Sequence, residues 1–289
     1  MHGFERIDIA EIAPGVWRSA HDERNDRPAL GAVVGTERVL MVDSGASPRH
    51  ALAFVEALRD ASGRAPDLVA LTHWHWDHSF GLSALGVPAL AHRATFDALA
   101  RMRTWAWDDR SLAARVASGE EIEFCARMIA VEYGTARDIR IAMPTIMVEE
   151  RLELELGDRS VLLEWIPNDH SADGLVILDR ATGTAFLGDI LGPAYYERPV
   201  AYRSGRFLSL VDRLLALPAA TFAEGHDDPL SRSGLLRELA AHLAVARAVE
   251  DGERSRPTLA RLAADADPEA EPAELHRIAA FFLSGATAS

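Results

Sequence analysis

The segment His73-Trp74-His75-Trp76-Asp77-His78 places three imidazoles and a carboxylate within six residues, directly after the apolar run Leu68-Val69-Ala70-Leu71-Thr72. Neutral imidazole and carboxylate are ligands for zinc, iron or manganese. Residues i and i+2 share a side of an extended chain but not of a helix. His73 and His75 therefore converge on one ion only if the segment is extended. Asp77 and His78 then need a turn to point back, towards the same ion or a second one. The segment reads as a loop at the C-terminal end of a strand, a usual place for a site in layered α/β folds. A lone histidine is ordinarily a surface or satisfied core residue, and His2, His21, His50, His92, His242 and His276 are read that way.

Three later segments repeat one pattern, a β-rich run that ends in an ionisable residue beside a turn. They are Trp165-Ile166-Pro167-Asn168-Asp169-His170-Ser171, Ala185-Phe186-Leu187-Gly188-Asp189, and Thr221-Phe222-Ala223-Glu224-Gly225-His226-Asp227. Singly, each is weak; Asp189 and His226 suit turns. Together with the first motif, their order is specific.

The elements that must position these groups follow from periodicity and turn chemistry. Short strands are predicted over residues 7–12, 15–18, 29–34 and 39–42, with Gly35-Thr36 as a hairpin turn. A helix follows to about residue 61, with Ser47 as cap and Pro48 in the first turn. Residues 67–72 form a strand, 81–85 a short helix and 87–91 another strand. Residues 93–147 read as a largely helical insertion bearing Met102, Trp105, Trp107, Phe124, Met128, Tyr133, Met143 and Met147. These side chains either pack the insertion onto the body or present a lid to a substrate, and both can hold at once. Strands resume at 149–156, 160–165, 175–178 and 184–187. A helix at 207–217 and a strand at 220–223 come next, then helices at 231–249, 258–264 and 272–283. The main domain is expected over residues 1–250, with a helical extension over 251–289 read as packing or oligomer contact, for example in a homodimer.

Composition bounds the function. The chain has 289 residues and a formal net charge of −14, which disfavours a nucleic-acid substrate because phosphate binding rests on Lys and Arg. Nearly half the residues are apolar, 48%, yet no apolar run reaches membrane-spanning length. The first residues, Met1 to Arg6, lack a signal-peptide layout. Cys125 is the single cysteine, so no internal disulfide forms and the cytoplasm is the expected compartment. Cys125 itself reads as a small buried hydrophobe. No Gly-x-Ser-x-Gly elbow is present, which agrees with a metal route rather than a serine nucleophile.

The chain resembles the metallo-β-lactamase superfamily, which carries His-x-His-x-Asp-His, a distant His, an Asp after a strand and a last His. His73, His75, Asp77, His78, His170, Asp189 and His226 fill these positions, and Asp43 in Met41-Val42-Asp43-Ser44-Gly45 matches the family's early Asp. The resemblance covers about residues 10 to 245. It implies an α/β, four-layer αββα sandwich with two divalent metal ions, zinc first and iron or manganese as alternatives. It also implies that His73, His75 and His170 hold the first ion, that Asp77, His78 and His226 hold the second, and that Asp189 bridges both. Asp43 is then expected to orient a ligand histidine or the motif loop.

A two-metal site suits hydrolysis. Asp77 is the expected catalytic carboxylate, able to orient the nucleophile or take its proton. Tyr195 and Tyr196, just past Asp189, are candidates for oxyanion contact, against a reading as ordinary packing. Zinc β-lactamases of the family usually have Cys or Ser at the position of Asp189, which argues against antibiotic hydrolysis. Asp169-His170-Ser171 departs from the Gly-His-Thr form common among thioesterases, which tells against a close glyoxalase II assignment. The expected substrate is a small molecule: a carboxylic ester, lactone or thioester with a hydrophobic group. The alternatives are a one-iron oxidoreductase resembling persulfide dioxygenases, a phosphodiesterase on a small substrate, and a metal-stabilised scaffold without turnover.

Overall fold

Strand alternation sets the layering of the protein, for which a computed structural model describes residues 6–287. Most of the N-terminal segment considered for targeting, with His2, and the last two residues of the tail lie outside the described residues. In β4 (Val39–Val42), Leu40 and Val42 face one core while Val39 and Met41 face another. In β10 (Leu175–Asp179), Leu175 and Ile177 face the same central core, and Val176 and Leu178 face a third. A strand that is apolar on both faces must be covered on both. The result is the expected four-layer αββα sandwich, with three cores between its layers.

The first sheet runs β1 (Ile9–Ala13), β2 (Val16–Ser19), β3 (Gly31–Val34), β4, β5 (Leu68–Ala70), β6 (Ala89–His92) and β7 (Ile146–Val148) in that order. Its first four strands are antiparallel; β4 to β7 pair in parallel. Parallel neighbours require crossovers. The first is α1 (Pro48–Ser62), capped by Ser47, whose side chain accepts from the His50 amide. The second sheet runs β13 (Leu230–Ser231), β12 (Thr221–Glu224), β11 (Thr184–Gly188), β10, β9 (Ser160–Trp165) and β8 (Arg151–Glu155).

One agreement with the sequence reading and two differences from it bear on the site. The metal motif is extended only through His75; α2 (Trp76–Ser79) supplies the turn that brings Asp77 and His78 round. The insertion holds α3 (Arg93–Met102), α4 (Asp109–Ser118) and α5 (Glu123–Tyr133), but residues 146–148 belong to the sheet as its edge strand β7, too short to show alternation. Beyond α6 (Ser204–Ala216), the single helix expected over 231–249 is broken at Leu239 into α7 (Arg232–Glu238) and α8 (Ala240–Glu250).

The C-terminal helices α9 (Arg256–Ala266) and α10 (Pro272–Ala286) are built into the third core through Leu259, Ala263, Ile278 and Phe282. A Cβ at Gly285 would lie 1.9 Å from the Tyr202 carbonyl oxygen, so only glycine lets α10 come this close to the 194–202 segment. Tyr202 reinforces the contact: its amide donates to Phe281 O at 3.0 Å and its ring stacks on Phe282 at 4.9 Å.

Candidate metal centre

All seven expected ligand residues meet at one end of the two sheets. They fall into two groups, His73–His75–His170 and Asp77–His78–Asp189–His226; within each group the ligand atoms lie within 4.8 Å of one another. His75 Nδ1 and His170 Nε2 face each other at 2.9 Å. Asp77 Oδ2 lies 3.1 Å from His226 Nε2 and 3.2 Å from His78 Nε2. Asp189 stands between the groups. Its Oδ2 is 3.9 and 3.6 Å from the Nε2 atoms of His73 and His170, and 3.3 and 3.5 Å from those of His78 and His226.

The strands explain the convergence. Asp43 and His73 follow β4 and β5, Asp189 follows β11 and His226 follows β12 by two residues. The motif loop is fixed from below by Asp43. Its Oδ1 accepts from the Thr72 amide at 2.7 Å, and its Oδ2 lies 2.8 Å from His78 Nδ1. Thr72 Oγ1 bonds Asp43 and lies 3.0 Å from His73 Nδ1. One buried carboxylate thus sets the ring of His78 directly and that of His73 through Thr72. Gly225 matters for its lack of a side chain: a Cβ there would meet Asp189 Oδ1 at 2.3 Å.

The donors fit divalent cations. The buried Nε2 atoms of His73 and His78, which face Asp189 Oδ2, have no hydrogen-bond partner, a state that is costly unless another ligand satisfies them. The two groups differ in charge. Burial first, then neighbouring imidazoles, hold His73 and His75 well below the ordinary histidine pKa; burial likewise lowers His170. These rings are neutral and offer lone pairs. Burial opposes protonation of His78 and His226 as well, but Asp189 and Asp77 outweigh it, and His226 rises to about 9. Asp77 and Asp189 lie far below the usual carboxylate range despite burial, because His78 and His226 stand beside them. The raised imidazoles register a concentrated negative field, the setting for a divalent cation. Three imidazoles in one group, and two imidazoles with two carboxylates in the other, suit zinc, iron or manganese.

The comparisons with known proteins agree with this geometry. The profile described as the metallo-beta-lactamase superfamily matches residues 29–226. The chain belongs to that superfamily. Among curated relatives, the acyl-coenzyme A thioesterase MBLAC2 of Bos taurus is 27% identical over 180 residues, 58% of this chain and 60% of that protein. The Homo sapiens protein of the same name is 28% identical over 181 residues, with the same shares. The match thus spans about three fifths of the length of these relatives. Among solved structures, a metallo-beta-lactamase from Pontibacter korlensis superposes with a TM-score of 0.57 at 14% identity, covering 84% of this chain and 99% of that one. The inverting sec-alkylsulfatase Pisa1 from Pseudomonas sp. superposes at 0.63 with 12% identity, covering 94% of this chain and 46% of that one. Both share the metallo-β-lactamase fold with this chain.

Above the ligands lies a cavity of about 590 Å³, within the size range of small-molecule sites. Its floor includes His75, Asp77, His170, Asp189 and His226. The insertion reaches it with Ile122, Phe124 and Cys125, and the C-terminal region with Leu239, His242, Arg277, Ile278 and Phe281. The superfamily match ends at His226, so part of this wall comes from helices beyond it. The tail packs into the third core, and α10 is in addition a wall of the cavity. His242, read as an ordinary histidine, lines it too.

The Trp and Met residues of the insertion mostly pack. Met102, Trp107 and Met128 are buried with Phe80 and Trp76, and Arg115 stacks over Trp105 and Trp107 at 4.5 and 4.8 Å. Cys125 is buried, and burial raises its thiol pKa well above normal, which leaves it protonated. The two tyrosines divide. Tyr196 also lines the cavity, lays its ring 5.2 Å from His75 and donates its hydroxyl to Glu121 at 2.8 Å. Tyr195 lines the cavity, 42% exposed, with its ring edge-on to His170 at 6.0 Å. No local pattern carried a signal for Glu121 or for Asp26, which enters the cavity from a left-handed turn. Thr72 carried a weak one, as the polar last residue of an apolar strand beside the motif.

Proposed function

We propose that this chain is a two-metal hydrolase that cleaves carboxylic thioesters, and by the same chemistry esters or lactones, whose acyl part is hydrophobic. The observation that carries the reading is the Asp189 carboxylate between the two donor groups on the floor of the cavity, with Oδ2 within 3.9 Å of imidazole nitrogens from both. His73, His75 and His170 would hold one ion, Asp77, His78 and His226 the other, and Asp189 both. Zinc is the first choice for these donors. Bound there, the ions supply an activated water at neutral pH and Lewis-acid polarisation of the carbonyl.

The chain's own residues do the rest. Asp43 and Thr72 hold two ligand rings in register. Asp77 lies at the cavity floor, where its carboxylate can orient the attacking water or accept its proton. Tyr195 presents the tyrosine face nearest His170, and is the candidate for contact with the carbonyl oxygen. Ile278, Phe281, Leu239 and Phe124 give the acyl group an apolar wall. The balance is simple: water adds to the acyl carbon, the C–S or C–O bond breaks, and acid and thiol or alcohol leave. The thioester preference rests on the names of the relatives; the apolar wall supports the hydrophobic acyl group independently.

The test is proton release at constant pH from thioesters, aryl esters, lactones and a β-lactam, with zinc-loaded protein and a chelator-stripped control. Metal-dependent turnover of a thioester or ester is expected. Silence across the panel with two ions bound would overturn the reading. Oxygen uptake with a thiol persulfide, or release of phosphate ester products, would then decide between the iron oxygenase and phosphodiesterase alternatives.

A further inference from the structure

The segment between β2 and β3 is tied to the metal centre more closely than strand pairing requires. Its turn is closed by Asp22 and Arg27, whose backbones exchange hydrogen bonds of 2.8 and 3.1 Å. Arg27 also pairs with Glu132 of α5 through two bonds of 2.8 and 2.9 Å, both side chains being buried. This segment and the adjoining strand β2 grip the main chain around His226. The Ala29 amide donates to Gly225 O at 2.7 Å, and the buried Arg18 guanidinium donates to the carbonyls of Glu224, at 2.7 Å, and of Asp227. Within this fixed turn Asp26 adopts φ +56°, the left-handed region, uncommon outside glycine but open to Asp and Asn. Its carboxylate enters the cavity, with Oδ1 3.8 Å from His226 Nδ1.

Asp43 is the parallel within the molecule. It too is left-handed, at φ +59°, and its carboxylate lies 2.8 Å from His78 Nδ1. In the second donor group, then, both imidazoles turn Nε2 towards Asp77 and Nδ1 towards an aspartate outside the group. A metal-ligating histidine characteristically donates its second ring N–H to such a carboxylate, which fixes tautomer and orientation.

We propose that Asp26 is a positioning residue for the second metal-binding group, its carboxylate accepting the Nδ1–H of His226 and so aiming Nε2 at the ion. A side-chain movement of roughly 1 Å brings the pair to hydrogen-bond distance. The role concerns metal binding and is independent of which bond the enzyme cleaves.

Asp26→Asn tests it, because Asn keeps the shape and tolerates the left-handed turn. Zinc affinities are read by chelator competition and stoichiometry by the visible spectrum of the cobalt-substituted protein. Wild type is expected to take two ions. In the variant the first ion should bind as before, the second about 10- to 100-fold more weakly, and the Tm of the metal-free protein should not move. Asp26→Glu, which keeps a carboxylate, should recover part of the loss. Unchanged affinity for both ions in Asp26→Asn overturns the proposal. So does equal weakening of both ions with a lowered metal-free Tm, which is the signature of a fold role. A wild type that never takes a second ion overturns it together with the two-ion reading.

Discussion

At the scale of single residues, the centre depends on groups that cannot be exchanged for near neighbours. His75→Ala and Asp189→Asn should each lower kcat/KM by about 10³-fold or more, since loss of the metal's charge stabilisation is worth several kcal/mol. Circular dichroism and Tm of the metal-free variants should stay close to wild type; wild-type-like turnover from either would refute the centre as assigned. Asp173 supplies a different prediction. It is fully buried, accepts from Thr95 Oγ1 of α3 at 2.7 Å, and burial pushes its pKa up to about 6 from an ordinary 3.8. An acid whose folded pKa is raised favours the fold at low pH and disfavours it once ionised. Its stabilising contribution is complete below the unfolded value near 3.8 and is lost as pH rises through about 6. Asp173→Asn should therefore be more stable than wild type at pH 8, by up to about 3 kcal/mol, and no more stable near pH 4. Urea denaturation at the two pH values measures the difference.

At the scale of elements, the end of β5 leads to four of the candidate ligands, and the ends of β9, β11 and β12 to one each. Part of this order is local and was legible in the chain. β4 and β9 run over the residues expected, and α1 starts at the cap and proline that predicted it. The turn of α2 was required by the spacing of Asp77 and His78 but is too short to carry a periodicity of its own. β7 was hidden because three residues show no alternation, and only pairing with β6 makes them a strand. The most consequential element is α10, whose amphipathic pattern announces a helix and nothing about its neighbour. Gly285→Ala places a methyl group against the Tyr202 carbonyl, where the ideal separation is 1.9 Å. The backbone must move, at a cost of about 1–3 kcal/mol. Because α10 lines the cavity, KM for a hydrophobic thioester should rise while the zinc stoichiometry stays at the wild-type value. Calorimetry, kinetics and metal analysis on one preparation separate these effects.

At the scale of the molecule, the net charge of −14 sets the field in which substrate arrives. The cavity adds Asp26, Asp227, Glu238 and Glu274 to its candidate metal-ligating carboxylates, with Arg277 as the single Arg or Lys among its described lining residues. A polyanionic thiol carrier approaches such a surface against repulsion, which salt screens. At low ionic strength, kcat/KM should therefore be higher for an acyl thioester of a small neutral thiol than for the same acyl group on coenzyme A. The gap should narrow as salt is added. A coenzyme A ester that is the better substrate at low salt, with a rate that falls on adding salt, would show a cationic docking surface instead. Among the described residues no helix is long and apolar enough to cross a membrane.

The sequence by itself determined the candidate ligand set and, through the family resemblance its motif carries, the expected layering. His-x-His-x-Asp-His after an apolar strand, and three later strand-end residues, are types and spacings that survive any rearrangement of loops. The strands' hydrophobic character is likewise written residue by residue. Tertiary structure decided what stands opposite what. Asp26 beside His226, Tyr196 turned to Glu121, and α10 over the cavity join positions far apart in the chain. Such contacts depend on how layers dock and on one glycine's missing side chain, so no local pattern encodes them.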